Sequence, residues 1–259
     1  MSEDNKLSAR KITDPLQKRA WHLGLYGLCT HWGEFADRDM LERIVMMEET
    51  ERKKRTLERR VSESKIGNFK PLSDFDWTWP SRIDREAIED LMSLEFLGEA
   101  LNPILIGANG VGKTMIAQNI AHRALLAGHT VRFTTASQLL GNLATQDGPA
   151  ARGRKLKELA RWDLLVIDEL GYLSYDNQFA DLLFEVVSMR HRQRATMLTT
   201  NRPFQEWGEV FNSAPCVVTL IDRLTHCAEV VKIEANSYRL REAEERAQRK
   251  SAVRAARRK

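Results

Sequence analysis

No run of apolar residues in this 259-residue sequence is long enough to cross a bilayer, and none near the N-terminus resembles a secretory leader, so the expected compartment is the cytoplasm with no membrane partner. Cysteine is scarce and scattered. Cys29, Cys216 and Cys227 are odd in number, widely spaced and form no Cys-x-x-Cys pair, so neither a disulfide framework nor a zinc site is suggested, and the thiols read as reduced packing residues. His22, Cys29 and His31 lie near one another without a fourth ligand, a spacing that suits helix packing better than metal. There is no internal repeat, and no zinc finger, homeodomain or similar base-reading module, which argues against sequence-specific recognition of nucleic acid.

What is present is an uneven charge distribution. The formal charge is only +4, but residues 1–60 carry 13 Lys/Arg against 11 Asp/Glu and residues 239–259 carry 9 against 3, leaving the middle mildly acidic. An acidic body with a basic tail fits contact with a polyanion through the periphery, and the tail fits a solvated helix equally well. The length allows one large domain, or a medium one with a smaller appendage. Three parts are expected: a helical N-terminal domain over 1–66, a nucleotide-binding domain over 67–238, and a basic helical tail over 239–259. In the first part, 15–28 and 39–47 show apolar residues at helical spacing. Residues 68–80 hold four aromatics and two prolines, which disfavour helix, so this segment is expected to run extended as a strap across the nucleotide domain. An amphipathic helix is expected over 83–99.

From Asn102 the pattern alternates short apolar or β-branched runs (104–106, 130–135, 164–168, 196–200 and 230–233) with longer helical segments. That order predicts an α/β fold, a five-stranded parallel sheet between helices. The first of these strands leads into Gly107, Ala108, Asn109, Gly110, Val111, Gly112, Lys113 and Thr114, with Met115 opening a helix. This is a complete phosphate-binding P-loop: the glycines let successive N–H groups curl inward at phosphate, and the helix adds its positive N-terminal end. Lys113 is expected to reach the β- and γ-phosphates of ATP, and Thr114 to ligate Mg²⁺.

About fifty residues downstream, Leu164-Leu165-Val166-Ile167 runs into Asp168 and Glu169. A buried strand ending in two acids delivers them to the carboxyl edge of the sheet, beside the P-loop. Asp168 is expected to hold Mg²⁺ and Glu169 to polarise the attacking water. The next strand ends in Asn201, whose amide can donate to phosphate and accept from water if this strand lies between the other two.

These motifs, with Leu220-Ile221-Asp222-Arg223-Leu224-Thr225-His226, resemble the AAA+ ATPases, and within them the IstB-like proteins of bacterial insertion sequences, which are close to DnaC helicase loaders. The resemblance covers roughly residues 35–245, including Phe75-Asp76-Trp77 before the domain and Ser237-Tyr238-Arg239-Leu240 after it. It implies that Arg223 is an arginine finger reaching the neighbouring subunit's γ-phosphate, so that hydrolysis needs a homo-oligomer. The helical lid usual in AAA+ proteins has little room here; Arg239 could stand in for its arginine sensor, although it matches no lid motif clearly.

Two basic segments are candidates for double-stranded DNA: Arg52, Lys53, Lys54 and Arg55 on a helical run, and Arg152, Arg154, Lys155 and Lys157 in a segment rich in small residues, read as a flexible phosphate-contacting loop. The first fits a surface helix end equally well, and the second a solvated helix start. Arg190-His191-Arg192-Gln193-Arg194 reads instead as a helix end. The resemblance implies a DNA-dependent transposition helper that assembles on duplex DNA and delivers it to a transposase, with a helicase loader as the alternative. A metabolic kinase would need neither Asn201 and Arg223 at these places nor a basic tail.

Overall fold

The computed structural model describes residues 12–172, 175–212 and 214–256, and the chain divides between Arg59 and Arg60 into two compact units. The first contains α1 (Pro15–His22), α2 (Tyr26–Thr30) and most of α3 (Arg38–Ser64). Asp14 caps α1, accepting from the Leu16 N–H at 2.9 Å, with proline in the first turn where no N–H is missed. The single helical run expected over 15–28 is broken at Gly24, which takes φ +68°. Leu16, Ala20, Cys29, Leu41 and Val45 form the core of this unit, so Cys29 is a packing residue.

The second unit begins with an extended segment carrying one 3-10 turn (Leu72–Asp74), then β1 (Arg82–Ile83), α4 (Arg85–Ser93), α5 (Glu95–Glu99) and β2 (Asn102–Gly107). There follow α6 (Lys113–Ala127), β3 (Val131–Thr135), α7 (Ala136–Ala144), α8 (Gly148–Arg161), β4 (Leu164–Leu170), α9 (Asn177–Arg190), β5 (Ala195–Thr200), α10 (Trp207–Val210), α11 (Val217–Thr225), β6 (Ala228–Glu234) and α12 (Tyr238–Ala256). The strand order is β1-β6-β2-β5-β4-β3; the five expected strands are all parallel, and β5 lies between β2 and β4. A sixth strand was not foreseen: β1 adds two residues antiparallel to β6, too short to leave a periodic signal.

All six residues of β5 are buried, as a strand covered on both faces requires. Two local expectations are corrected. The helix over 83–99 is split at Leu94, which adopts a left-handed φ of 71°. Over 148–157 the flexible-loop reading gives way to the helix-start reading: this is the beginning of α8, because Pro149 suits a first helical turn and Leu156 and Leu159 give the helix a buried face.

The cluster from Arg190 to Arg194 is architectural. Arg190 is 1% exposed and donates to the carbonyls of Leu159 (2.6 Å), Trp162 (2.9 Å) and Ala195 (2.6 Å) and to the Thr196 hydroxyl (3.0 Å). Burial pushes its guanidinium below the ordinary arginine value, and among the described residues its hydrogen-bond partners are carbonyls and a hydroxyl. It fastens α8, α9 and β5 at one corner. Arg194 pairs with Asp163.

Candidate nucleotide-binding site

β2, β4 and β5 bring Gly107, Asp168–Glu169 and Asn201 to the same carboxyl edge of the sheet, where open α/β sheets place their ligands. Gly110 (φ +80°) and Gly112 (φ +99°) give the P-loop its curl. A Cβ on Gly112 would stand 2.5 Å from Phe75 Cε2, so the strap can lie against the loop only because that residue is glycine. Asn119 on α6 holds the strap down, accepting from the Leu72 N–H at 2.9 Å and donating to the Lys70 carbonyl at 2.9 Å.

Lys113 is 3% exposed and its Nζ donates to the carbonyls of Gly107 (2.7 Å) and Ala108 (2.8 Å), folded onto the loop it belongs to. Burial lowers its pKa to about 8, against the opposing pull of Asp168. The Thr114 hydroxyl donates to the Asp168 carboxylate at 3.0–3.1 Å, so the two residues expected to hold Mg²⁺ are already together. Two hard oxygen donors at that spacing suit a Mg²⁺ ion that keeps several waters.

Thr199 joins this pair to the second acid. Its hydroxyl donates to Asp168 and accepts from the Glu169 N–H at 3.0 Å. Glu169 sits at φ +61°, where the β4–β5 register shifts between Ile167 and Leu170. Such a bulge re-aims a side chain that a straight strand would send to one face of the sheet. Asn201 follows directly, its Oδ1 buried without a hydrogen-bond partner among the described residues. That atom lies 3.4 Å from where a Cβ on Gly171 would be, two residues beyond Glu169.

A cavity of about 280 Å³ opens over the P-loop, lined by Gly110 to Met115, by Phe75 and Trp79 of the strap, and by Tyr172, Tyr238 and Arg239. The end of the chain is fastened to this wall. The Tyr238 N–H donates to the Gly110 carbonyl at 3.1 Å, and Trp79 Nε1 donates to the Asn236 carbonyl at 2.9 Å. Arg241 stacks over Trp79 at 4.5 Å and pairs with Asp76 at 3.4 Å. Tyr172 is not signalled by the sequence, and Thr199 stands there only within the Thr199-Thr200-Asn201 run that contributes to the family resemblance, with no role of its own.

Asp168, Glu169, Asn201 and Arg223 are not among the residues that line this cavity, and Arg223 is engaged elsewhere. It lies across α9, over the Phe184 ring at 4.6 Å and donating to the Ser188 hydroxyl. Of the candidate nucleic-acid residues, Arg52 and Arg55 both pair with Glu48 (2.7 and 3.1 Å), whereas Lys53 and Lys54 are exposed and form no such pair among the described residues. On α8, Arg152 and Lys155 are half-buried, Lys155 pairing with Glu158 at 2.9 Å. Arg154 and Lys157 are exposed, and with Arg161 they follow i, i+3, i+7 spacing along one outer face. Among the described residues no cluster of three His, Cys, Asp or Glu side chains is placed to hold a metal ion, and no helix is long and apolar enough to cross a membrane.

The sequence pattern of the family described as IstB-like ATP binding protein matches residues 28–246. The chain is 30% identical over 228 residues to the ATP-binding protein of insertion sequence IS5376 from Geobacillus stearothermophilus, covering 88% of this chain and 90% of that one. It is 33% identical over 205 residues to the ATP-binding protein of insertion sequence IS21 from Pseudomonas aeruginosa, covering 79% and 77%. Among solved structures, AMPPCP-bound DnaA from Aquifex aeolicus aligns with TM-score 0.55 over 71% of this chain and 56% of that one at 21% identity. DnaI aligns with TM-score 0.52 over 64% and 89% at 19% identity. Likeness at these identities is one of fold, and the fold is that of P-loop AAA+ domains.

Proposed function

The chain belongs to the IstB-like ATP-binding proteins of insertion sequences, and from that membership and the geometry of the cleft we propose that it is a DNA-dependent AAA+ ATPase that serves transposition. ATP is the substrate. Its phosphates enter the P-loop, where the Lys113 ammonium leaves the carbonyls of Gly107 and Ala108 for anionic oxygens. Thr114 and Asp168 would hold Mg²⁺, which when bound neutralises developing charge on the phosphates. Glu169 accepts a proton from the attacking water, and Asn201 orients that water through its amide oxygen, which has no partner among the described residues, or the γ-phosphate through its amide N–H.

A cation opposite Lys113 is still needed to stabilise the transferring phosphoryl group. Arg223 supplies it from a neighbouring subunit, consistent with its position away from its own cavity. Duplex DNA is held without sequence preference by Arg154 and Lys157, aided by Arg161. The DNA-bound oligomer delivers its DNA to a transposase, and hydrolysis times the release. The insertion-sequence relatives favour this role over that of a helicase loader, which draws on likeness of fold alone.

The observation that carries the proposal is the continuous chain of hydrogen bonds from Thr114 through Asp168 and Thr199 to Glu169. Glu169→Gln should bind ATP, lower turnover by about 10²–10⁴-fold, and trap the protein on duplex DNA as an oligomer visible by electron microscopy. Normal turnover in this variant would remove Glu169 from its role, and a protein that stays monomeric with ATP analogue and DNA would remove the neighbour's Arg223.

A further inference from the structure

The segment after Glu169 carries a second group to the cavity. β4 does not run straight off the sheet: Glu169 (φ +61°) and Gly171 (φ +88°) place two left-handed residues within three positions. A Cβ on Gly171 would come within 3.1 Å of Arg202 Cγ, so the turn is packed against the segment after β5, and its φ favours glycine. The reversal brings Tyr172 to the cavity wall with Lys113 and Thr114.

We propose that the Tyr172 hydroxyl is a ligand of the terminal phosphate of the bound nucleoside triphosphate, and that it sets the preference of the site for triphosphate over diphosphate; this rests on the reading of the cleft as hydrolytic. Tyr172 shares its cavity wall with Gly110, Gly112, Lys113 and Thr114, the part of the P-loop that faces phosphate, and follows Glu169 by three residues. Burial, the larger influence, and the carboxylates of Glu169 and Asp168 hold the phenol above its ordinary value, so it is a neutral O–H donor at physiological pH. A neutral donor among carboxylates gains most from an anionic acceptor, and a phosphate oxygen makes the stronger, charge-assisted bond. Tyr172 lies just beyond the bulge of β4, so the proposed phosphate ligand and the proposed base leave the sheet on one short stretch of chain.

The test uses the full chain with Tyr172→Phe, which keeps the ring and removes only the hydroxyl. Affinities for AMP-PNP and ADP are measured by displacement of a fluorescent nucleotide, with thermal melting to confirm that the fold is intact. AMP-PNP binding should weaken about tenfold, the low end for a lost hydrogen bond to a charged group, while ADP binding changes less than twofold. Equal weakening for the two nucleotides would make Tyr172 a wall of the pocket, and no change for either would place it off the ligand; each outcome overturns the proposal. If the unmodified chain binds both nucleotides but does not hydrolyse ATP, the hydrolytic reading fails while the affinity ratio still decides the role of Tyr172.

Discussion

Thr199 shows how much of this site rests on one hydroxyl. It donates to Asp168 and accepts from the Glu169 N–H, which leaves no spare bond to hold the left-handed backbone of Glu169 if it is lost. Such a conformation costs about 1–3 kcal/mol and persists only where its surroundings enforce it. Thr199→Val keeps the shape and should lower kcat about tenfold or more while nucleotide affinity moves only a few-fold, a split read from steady-state kinetics beside equilibrium binding. Asp168 and Glu169 were legible in the sequence because a buried strand ending in acids is a pattern along the chain. Thr199 was not, because its partners lie 30 and 31 residues away and meet it only across the sheet.

Lys113 makes a second residue-scale prediction. Its pKa of about 8 in the free chain reflects burial, whereas bound phosphate favours the ammonium and raises it. Nucleotide binding should therefore take up a proton above about pH 8, and affinity should fall as pH rises through that value. Calorimetry at pH 8.5 in buffers of different ionisation enthalpy measures the uptake; zero would mean that Lys113 is already charged there. The free chain follows the opposite sign: its buried ammonium disfavours folding below pH 8, and this handicap is lifted between pH 8 and the ordinary 10.5.

At the scale of elements, Arg190 replaces what a hydrophobic contact would usually do at the joint of α8, α9 and β5. Three backbone carbonyls and one hydroxyl depend on it. Arg190→Met retains much of the volume but strands those acceptors, and should destabilise the second unit by about 2–4 kcal/mol in urea unfolding. A loss under 0.5 kcal/mol would mean that water replaces the guanidinium freely. The sequence suggested a helix end at Arg190, since charge at a helix C-terminus is a local signal, but not its burial. The start of α8 stayed open between loop and helix for a related reason: Gly148, Pro149, Ala150 and Ala151 look like a loop until α8 packs against α9 and Leu156 and Leu159 are buried. The split at Leu94 and the two-residue β1 likewise depend on neighbours brought in by the fold.

At the scale of the molecule, each subunit in the proposed assembly holds half of two sites. Arg223→Ala and Lys113→Ala should both be inactive alone. Mixed together, they should recover part of the ATPase rate, because a joint with an intact P-loop on one side and an intact Arg223 on the other forms only between them. No recovery on mixing, with oligomers present by light scattering, would place Arg223 outside the reaction. The P-loop, the acid pair and the parallel sheet were legible at this scale because each is written in contiguous residues. The fastening of the chain end was not.

The hydrogen bond from Tyr238 to the Gly110 carbonyl, with Arg241 clamped between Trp79 and Asp76, makes α12 a lever whose fulcrum is the phosphate loop itself. A load hung on that helix reaches Gly110 across a single bond, with no domain in between to absorb it. The 19-residue α12 is long, at roughly 1.5 Å per residue, so a small force at its far end acts on the loop with mechanical advantage.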